Sequence, residues 1–161
     1  MEARPATFDD CEAMARGMAS VVEEGRWLAT EKATVEELAA RYRHAVEADD
    51  HFLFALEDGG RLVGSLSMHP TQTKGVLALG MWILEPWRGR GGGRMLMEAA
   101  ITVRLGGVHK IELEVFPDNE AAIGLYEAMG FEREGLRRDH LRRLDGSLRS
   151  ALIMARLFET E

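Results

Sequence analysis

The residues with the plainest chemical potential lie between Gly80 and Met97, in the run Gly-Met-Trp-Ile-Leu-Glu-Pro-Trp-Arg-Gly-Arg-Gly-Gly-Gly-Arg-Met-Leu-Met. An apolar, strand-like stretch breaks there into an Arg/Gly loop and resumes as an apolar helix. Glycines let the backbone turn tightly and approach a ligand without interference from a Cβ. The first amides of the following helix point unsatisfied N–H groups at whatever sits there, so the natural occupant is an anion. The commoner phosphate loops do not fit. A P-loop needs Gly-Lys followed by Ser or Thr, and the loop from Arg88 to Arg94 holds neither lysine nor hydroxyl. A dinucleotide fingerprint can start at Gly89 and Gly91, but Arg94 then occupies its third glycine position. Disordered RNA-binding Arg-Gly tracts are long and repetitive, whereas this one is brief and framed by apolar structure. What remains is Arg88-x-x-Gly91-x-Gly93 between a strand and a helix.

Composition bounds the molecule that must position this loop. With 161 residues, 46% of them hydrophobic, the chain supports one core, and a single domain over 1–161 is expected. Twenty basic against 27 acidic residues give a net charge of −7, which repels a nucleic-acid backbone. Positive charge is therefore local, in Arg88, Arg90 and Arg94 and again in Arg133, Arg137, Arg138, Arg142 and Arg143. The one cysteine, Cys11, sits in a helical pattern and reads as a small buried hydrophobe. His44, His51, His69, His109 and His140 are scattered without ligand spacing, so no metal site is expected. No apolar run reaches the roughly 18 residues of a membrane span, and Glu2, Arg4 and Asp9 do not suit a signal peptide. A cytoplasmic protein without membrane partners is the expectation.

The pattern along the chain gives the elements. Arg4-Pro-Ala-Thr-Phe reads as a short strand, and Thr7 or Asp9 can cap a helix from about Asp10 to Glu23. Thr34 caps a second helix, on which Leu38, Ala39, Tyr42 and Val46 recur at helical spacing. His51 to Glu57 and Arg61 to His69 form a hairpin about Asp58-Gly59-Gly60, and the next strand runs from Gly75 to Leu84. After the loop, Met95, Leu96, Ala99, Ala100 and Val103 face a core until Gly106-Gly107. His109 to Phe116 alternates as a strand with Ile111, Leu113 and Val115 on one face and Glu112 and Glu114 on the other. A helix begins near Pro117-Asp118-Asn119-Glu120 and stops at Gly130. Phe131 to Arg138 and Leu148 to Phe158 complete the pattern as two strands around Asp145-Gly146.

With these residues in place the sequence resembles the GCN5-related N-acetyltransferase (GNAT) superfamily, whose signature is Arg or Gln, two residues, Gly, one residue, then Gly or Ala at this strand-to-helix junction. The segment Asn119-Glu-Ala-Ala-Ile-Gly-Leu-Tyr-Glu-Ala-Met-Gly-Phe is similar to the family's second signature, and Arg4-Pro-Ala-Thr-Phe-Asp-Asp is similar to its usual first strand. The tail from Asp139 to Arg156 resembles bacterial members that acetylate small amines or amino acids, except that those usually carry an acidic residue where this chain has Ser150. The resemblance implies an α/β fold: a mixed, mostly antiparallel sheet of six to seven strands, about four helices, and splayed strands forming an acetyl-CoA cleft. It implies acetyl-CoA as co-substrate. Backbone amides across Arg88, Gly89, Arg90, Gly91, Gly92, Gly93 and Arg94 would then hold the pyrophosphate, and the backbone of Met81, Trp82 and Ile83 would pair with the pantetheine arm. The side chains of Trp82 and Trp87 read instead as packing.

Acetyl transfer to an amine needs a neutral nucleophile, a polarised thioester and a protonated leaving thiolate. Tyr126 matches the family's tyrosine and is expected as general acid, in contact with the coenzyme. Glu114 lies where some relatives place a general base; Glu112 shares its strand face, and a water chain is the other option. Asn119 either binds the coenzyme or caps its helix through the same side-chain oxygen. Glu23, Glu24 and Glu31 can attract a cationic amine. The expected activity is acetyl-CoA-dependent N-acetylation of a small primary amine: an amino acid, a polyamine or an amine-bearing toxin. Protein N-terminal or lysine acetylation is the alternative within enzymes, and a non-catalytic coenzyme A sensor the alternative outside them. The C-terminal strands are compatible with a homodimer.

Overall fold

A computed structural model describes residues 1–103 and 105–159. Its elements are β1 (Glu2–Pro5), α1 (Cys11–Glu23), α2 (Val35–Glu47), β2 (Phe52–Asp58), β3 (Arg61–Pro70), β4 (Val76–Ile83), α3 (Gly92–Ile101), β5 (Lys110–Val115), α4 (Glu120–Ala128), β6 (Glu132–Arg142) and β7 (Leu148–Leu157). The strands make one seven-stranded sheet in the order β1-β2-β3-β4-β5-β7-β6. Its ladders are antiparallel at β1–β2, β2–β3, β5–β7 and β6–β7 and parallel at β4–β5, so it is the mixed sheet expected, with four α-helices. The chain divides into two compact units, Met1–His69 with Gly80–Arg104 and Pro70–Leu79 with Leu105–Glu161.

In the first unit the hairpin of β2 and β3 turns on Gly59 and Gly60, at φ 57° and 81°, a conformation that suits glycine. Helix α2 begins with a capping box: the Thr34 hydroxyl accepts from the Glu37 amide at 3.1 Å, and the Glu37 carboxylate accepts from the Thr34 amide at 3.0 Å. The core gathers Cys11, Met14 and Ala15 of α1, Leu38 and Tyr42 of α2, and Trp82. Burial pushes the Cys11 thiol above its ordinary range, consistent with a packing role.

The first strand differs from the sequence pattern. The first strand ends at Pro5, and Phe8–Asp10 forms a single 3-10 turn before α1. The cause is Asp10. Its carboxylate accepts from the Thr7 amide at 2.7 Å and the Thr7 hydroxyl at 3.1 Å, and it pairs with Arg4 at 2.8 Å, so the chain folds back where the strand was expected to continue. Arg4 also holds Glu57 at 2.9 Å, which pins β1 to β2.

In the second unit β5 pairs with β7 from Lys110↔Leu157 to Val115↔Leu152, and β7 pairs in turn with β6. The parallel ladder between β4 and β5 runs only from Val76↔Lys110 to Ala78↔Glu112, so residues 113–115 of β5 continue with a ladder to β7 alone. Strand β6 is the sheet edge. It extends to Arg142, four residues beyond the reach expected from sequence, and is exposed almost throughout, so no apolar alternation marks it.

Candidate active site

Within the first unit the Arg/Gly loop is held where it leaves β4. After β4 a short 3-10 turn, Glu85–Trp87, leads into it, and the Trp87 indole donates to Asp58 Oδ2 at 2.9 Å while the Arg61 guanidinium lies 4.7 Å from the ring centre. Arg88 Nε donates to the Ile83 carbonyl at 2.8 Å, and its Nη2 grips both oxygens of Glu24 at 3.0 and 2.8 Å. The Arg88 side chain thus ties the end of β4 to the end of α1, and its charge is already matched.

Gly91 is the N-cap of α3 at φ 84°, and Gly89 stands at φ 71°. No side chain caps this helix, and its first closing bond is from Met95 N to Gly91 O at 3.1 Å. The amides at its start lie beside exposed Arg90, which makes no ion pair among the described residues, and beside Arg94, which pairs on the surface with Glu98 at 2.9 Å. An uncapped N-terminus, a left-handed glycine and an available guanidinium together favour an anion. The loop glycines do not share one role. Around Gly89 and Gly91 the space is open and only φ demands glycine, whereas a Cβ on Gly92 would sit 2.5 Å from Leu56 Cδ2. Gly92 is therefore fixed by packing.

The side chain of Trp82 is core. It is 6% exposed, its indole donates to Tyr42 Oη at 2.9 Å, and a Cβ on Gly17 would fall within 2.2 Å of its ring. Its neighbours Met81 and Ile83 are half-buried on the same strand. Glu24, grouped in sequence with Glu23 and Glu31 as bait for a cationic amine, is spoken for by Arg88.

The second unit contains a pocket of about 280 Å³ at the place where the β4–β5 ladder stops. Glu112 and Glu114 both line it, and so does Arg137 of β6, whose Nη1 donates to Glu114 Oε1 at 2.7 Å. Arg137 is a residue that sequence reading noticed only as one of five clustered arginines. Its ladder partner is Ala151 of β7, and the β6–β7 register shifts directly after it. Within that shift Asp139 adopts φ 48°, and its amide donates to Ser150 Oγ at 3.0 Å, so Ser150 serves the turn.

Tyr126 lies on the buried face of α4, 6.0 Å from the Phe131 ring. Burial pushes its phenol up to about 12, and its hydroxyl makes no hydrogen bond among the described residues. It is thus a protonated donor without a competing partner. Asn119 caps α4, its Oδ1 accepting from Ala122 N at 3.3 Å, which gives the side chain the structural one of its two expected roles.

Tertiary structure also corrects the picture of scattered histidines. The His44 and His51 rings lie 5.9 Å apart and the His51 and His69 rings 6.1 Å apart, with His51 Nδ1 2.7 Å from Asp50. Among the described residues no group of His, Cys, Asp and Glu is arranged to hold a metal ion. No described helix is long and apolar enough to cross a membrane.

The chain matches the acetyltransferase (GNAT) family over residues 19–131 and belongs to that family. Over 110 residues it is 37% identical to the N-alpha-acetyltransferase RimI of Mycobacterium tuberculosis, a match covering 65% of this chain and 66% of that protein. It is 35% identical over 133 residues to a mycothiol acetyltransferase of Geodermatophilus obscurus, covering 76% of this chain but 40% of that one. The matches therefore span about two thirds and two fifths of these relatives' own lengths. In fold it is similar to a Salmonella typhimurium structure solved with acetyl-CoA, with a TM-score of 0.88 at 18% identity over 99% of this chain and 94% of that one.

Proposed function

We propose that the protein is an acetyl-CoA-dependent N-acetyltransferase that moves an acetyl group to the primary amine of a small molecule. The observation that carries this reading is the uncapped start of α3 behind Gly91, because a coenzyme pyrophosphate needs backbone N–H donors approached without a Cβ. Amides from Gly89 to Arg94 would hold it, with Arg90 adding charge, while Arg88, expected among the donors, has its own amide donated to Glu85 O at 3.1 Å and instead anchors the loop. The backbone of Met81, Trp82 and Ile83 offers strand-edge amides and carbonyls to an extended pantetheine arm. Acetyl-CoA, when bound, supplies the activated thioester.

The chain's own groups supply the proton transfers. Glu114, which opens onto the pocket, takes a proton from the acceptor ammonium directly or through water, with Glu112 as the other carboxylate on that strand face. Tyr126 stays protonated at any physiological pH and gives its proton to the leaving sulfur. Direct attack needs no covalent enzyme intermediate. We also read the two units as one catalytic domain, supported by a family match that runs without a break through residues of both.

One observation favours a second reading. The 37% identity to RimI supports transfer to a protein N-terminus. A panel of free amines, amino acids, polyamines and short peptides, read by thiol release from acetyl-CoA, separates the two. Acetylation of small amines supports the first reading, acetylation of peptides alone supports the second, and tight acetyl-CoA binding without release from any acceptor supports a coenzyme sensor.

A further inference from the structure

The polar lining of the second unit's pocket carries both signs of charge. It consists of Glu112, Glu114 and Arg137, and the Arg137–Glu114 pair is wet, its side chains 54% and 43% exposed. Exposed pairs of this kind add only ~0–1 kcal/mol to stability, so stability does not account for the arginine. A carboxylate meant only to attract and deprotonate a cationic amine is poorly served by a guanidinium 2.7 Å away. A polyamine would bring a second cation toward that guanidinium. A peptide N-terminus would bring a neutral amide carbonyl and offer Arg137 no charge in exchange for Glu114.

A zwitterion fits both groups at once. Its ammonium replaces Arg137 at Glu114, and its carboxylate replaces Glu114 at Arg137, where the fork of a guanidinium binds a carboxylate through two parallel hydrogen bonds. The backbone supports a dedicated placement. Arg137 is the last paired residue before the second of two β6–β7 register shifts, and Asp139 within that shift holds a left-handed φ of 48° that a non-glycine residue rarely takes. Such irregularities re-aim side chains at an edge strand.

We propose that this pocket selects primary amines bearing a carboxylate a few bonds from the nitrogen, as in free α-amino acids, and that Arg137 is the specificity-determining residue. The inference rests on the acetyltransferase reading and narrows its acceptor. Apolar Ile153, the half-buried ladder partner of Glu114 in the same lining, suits an aliphatic side chain, so leucine is the probe.

The test compares kcat/KM for leucine, leucinamide and isoamylamine, which share the amine and side chain and differ only in the anionic group. Leucine is expected to exceed both by on the order of 10- to 100-fold, the worth of a charged hydrogen-bonded pair. Arg137→Gln should collapse that ratio toward one, and Arg137→Lys should restore part of it. Equal kcat/KM for the three amines in the parent protein overturns the inference, as does a leucine preference that survives Arg137→Gln. Thermal stabilisation by acetyl-CoA, measured on each variant, reports that the fold is intact. Stabilisation without thiol release from any amine overturns the acetyltransferase reading itself, and the inference with it.

Discussion

The loop from Arg88 to Arg94 and the pocket around Glu114 both bear charge, yet they use it in different ways. In the first unit the arginine of the signature is consumed internally, tied to Ile83 and Glu24, and what the loop offers a ligand is backbone, set by two left-handed glycines. In the second unit what the pocket offers is side chains, presented by strand β5 and by an irregular edge strand β6, with Arg137 and Glu114 paired and exposed. Backbone recognition needs glycine at fixed positions and tolerates much else. Side-chain recognition depends on which residue each strand presents, so acceptors can change while the donor loop stays the same.

The comparison is tested most severely at Trp82. Trp82→Ala removes a buried ring and its bond to Tyr42, and should cost about 3–5 kcal/mol in urea unfolding. A loss under about 1 kcal/mol would mean that this core does not hold β4 in place. In the second unit Tyr126→Phe should lower kcat on the order of 100-fold or more while acetyl-CoA affinity, measured by calorimetry, stays nearly constant. Unchanged kcat removes Tyr126 from the chemistry.

Smaller effects separate neighbouring glycines. Gly91→Ala forces a side chain into left-handed backbone at a cost of about 1–2 kcal/mol, and should appear chiefly as weaker acetyl-CoA binding. Gly92→Ala should appear chiefly as lost thermal stability, because its Cβ meets Leu56. If both variants alter the same quantity, the division between a ligand glycine and a packing glycine fails. Smaller again, Glu24→Gln should raise KM for acetyl-CoA a few-fold with kcat little changed, since it loosens Arg88 without touching the reacting groups.

The subtlest prediction concerns pH. The Tyr126 phenol is pushed from its ordinary 10 up to about 12, so burial favours the protonated form in the folded chain. Its contribution is whole below pH 10 and is lost as pH rises from 10 through 12. Asp10 runs the opposite way in the first unit: Arg4 lowers it to about 2, so its contribution is present above pH 4 and is lost as pH falls through 2. Stability measured against pH should lose part of its alkaline slope in Tyr126→Phe, where Tyr42 and Cys11 keep the rest, and part of its acid slope in Asp10→Asn.

Much of the local structure is legible in the sequence. Helix α2 begins at the Thr34 cap, the β2–β3 hairpin turns at Gly59-Gly60, and Glu112 and Glu114 share a strand face as their alternation requires. These features are local, set by hydrogen bonds a few residues apart and by the period of two in a strand. Edge strand β6 was underestimated because it buries neither face, so the pattern that reveals strands is missing from it.

The turn from β4 into α3 follows from its own residues. The spacing Arg88-x-x-Gly91-x-Gly93, between an apolar strand and an apolar helix, is a local instruction for a left-handed glycine turn into an uncapped helix, and the chain executes it within a few residues. Tertiary structure alone decided which charges meet. Glu24 is 64 positions from Arg88 and Glu114 is 23 from Arg137. Nothing local tells one arginine of a cluster from the next. Strand order and register choose among them, because the ladder from β5 through β7 to β6, with its shift after Arg137, fixes which side chain lies within hydrogen-bond reach of Glu114.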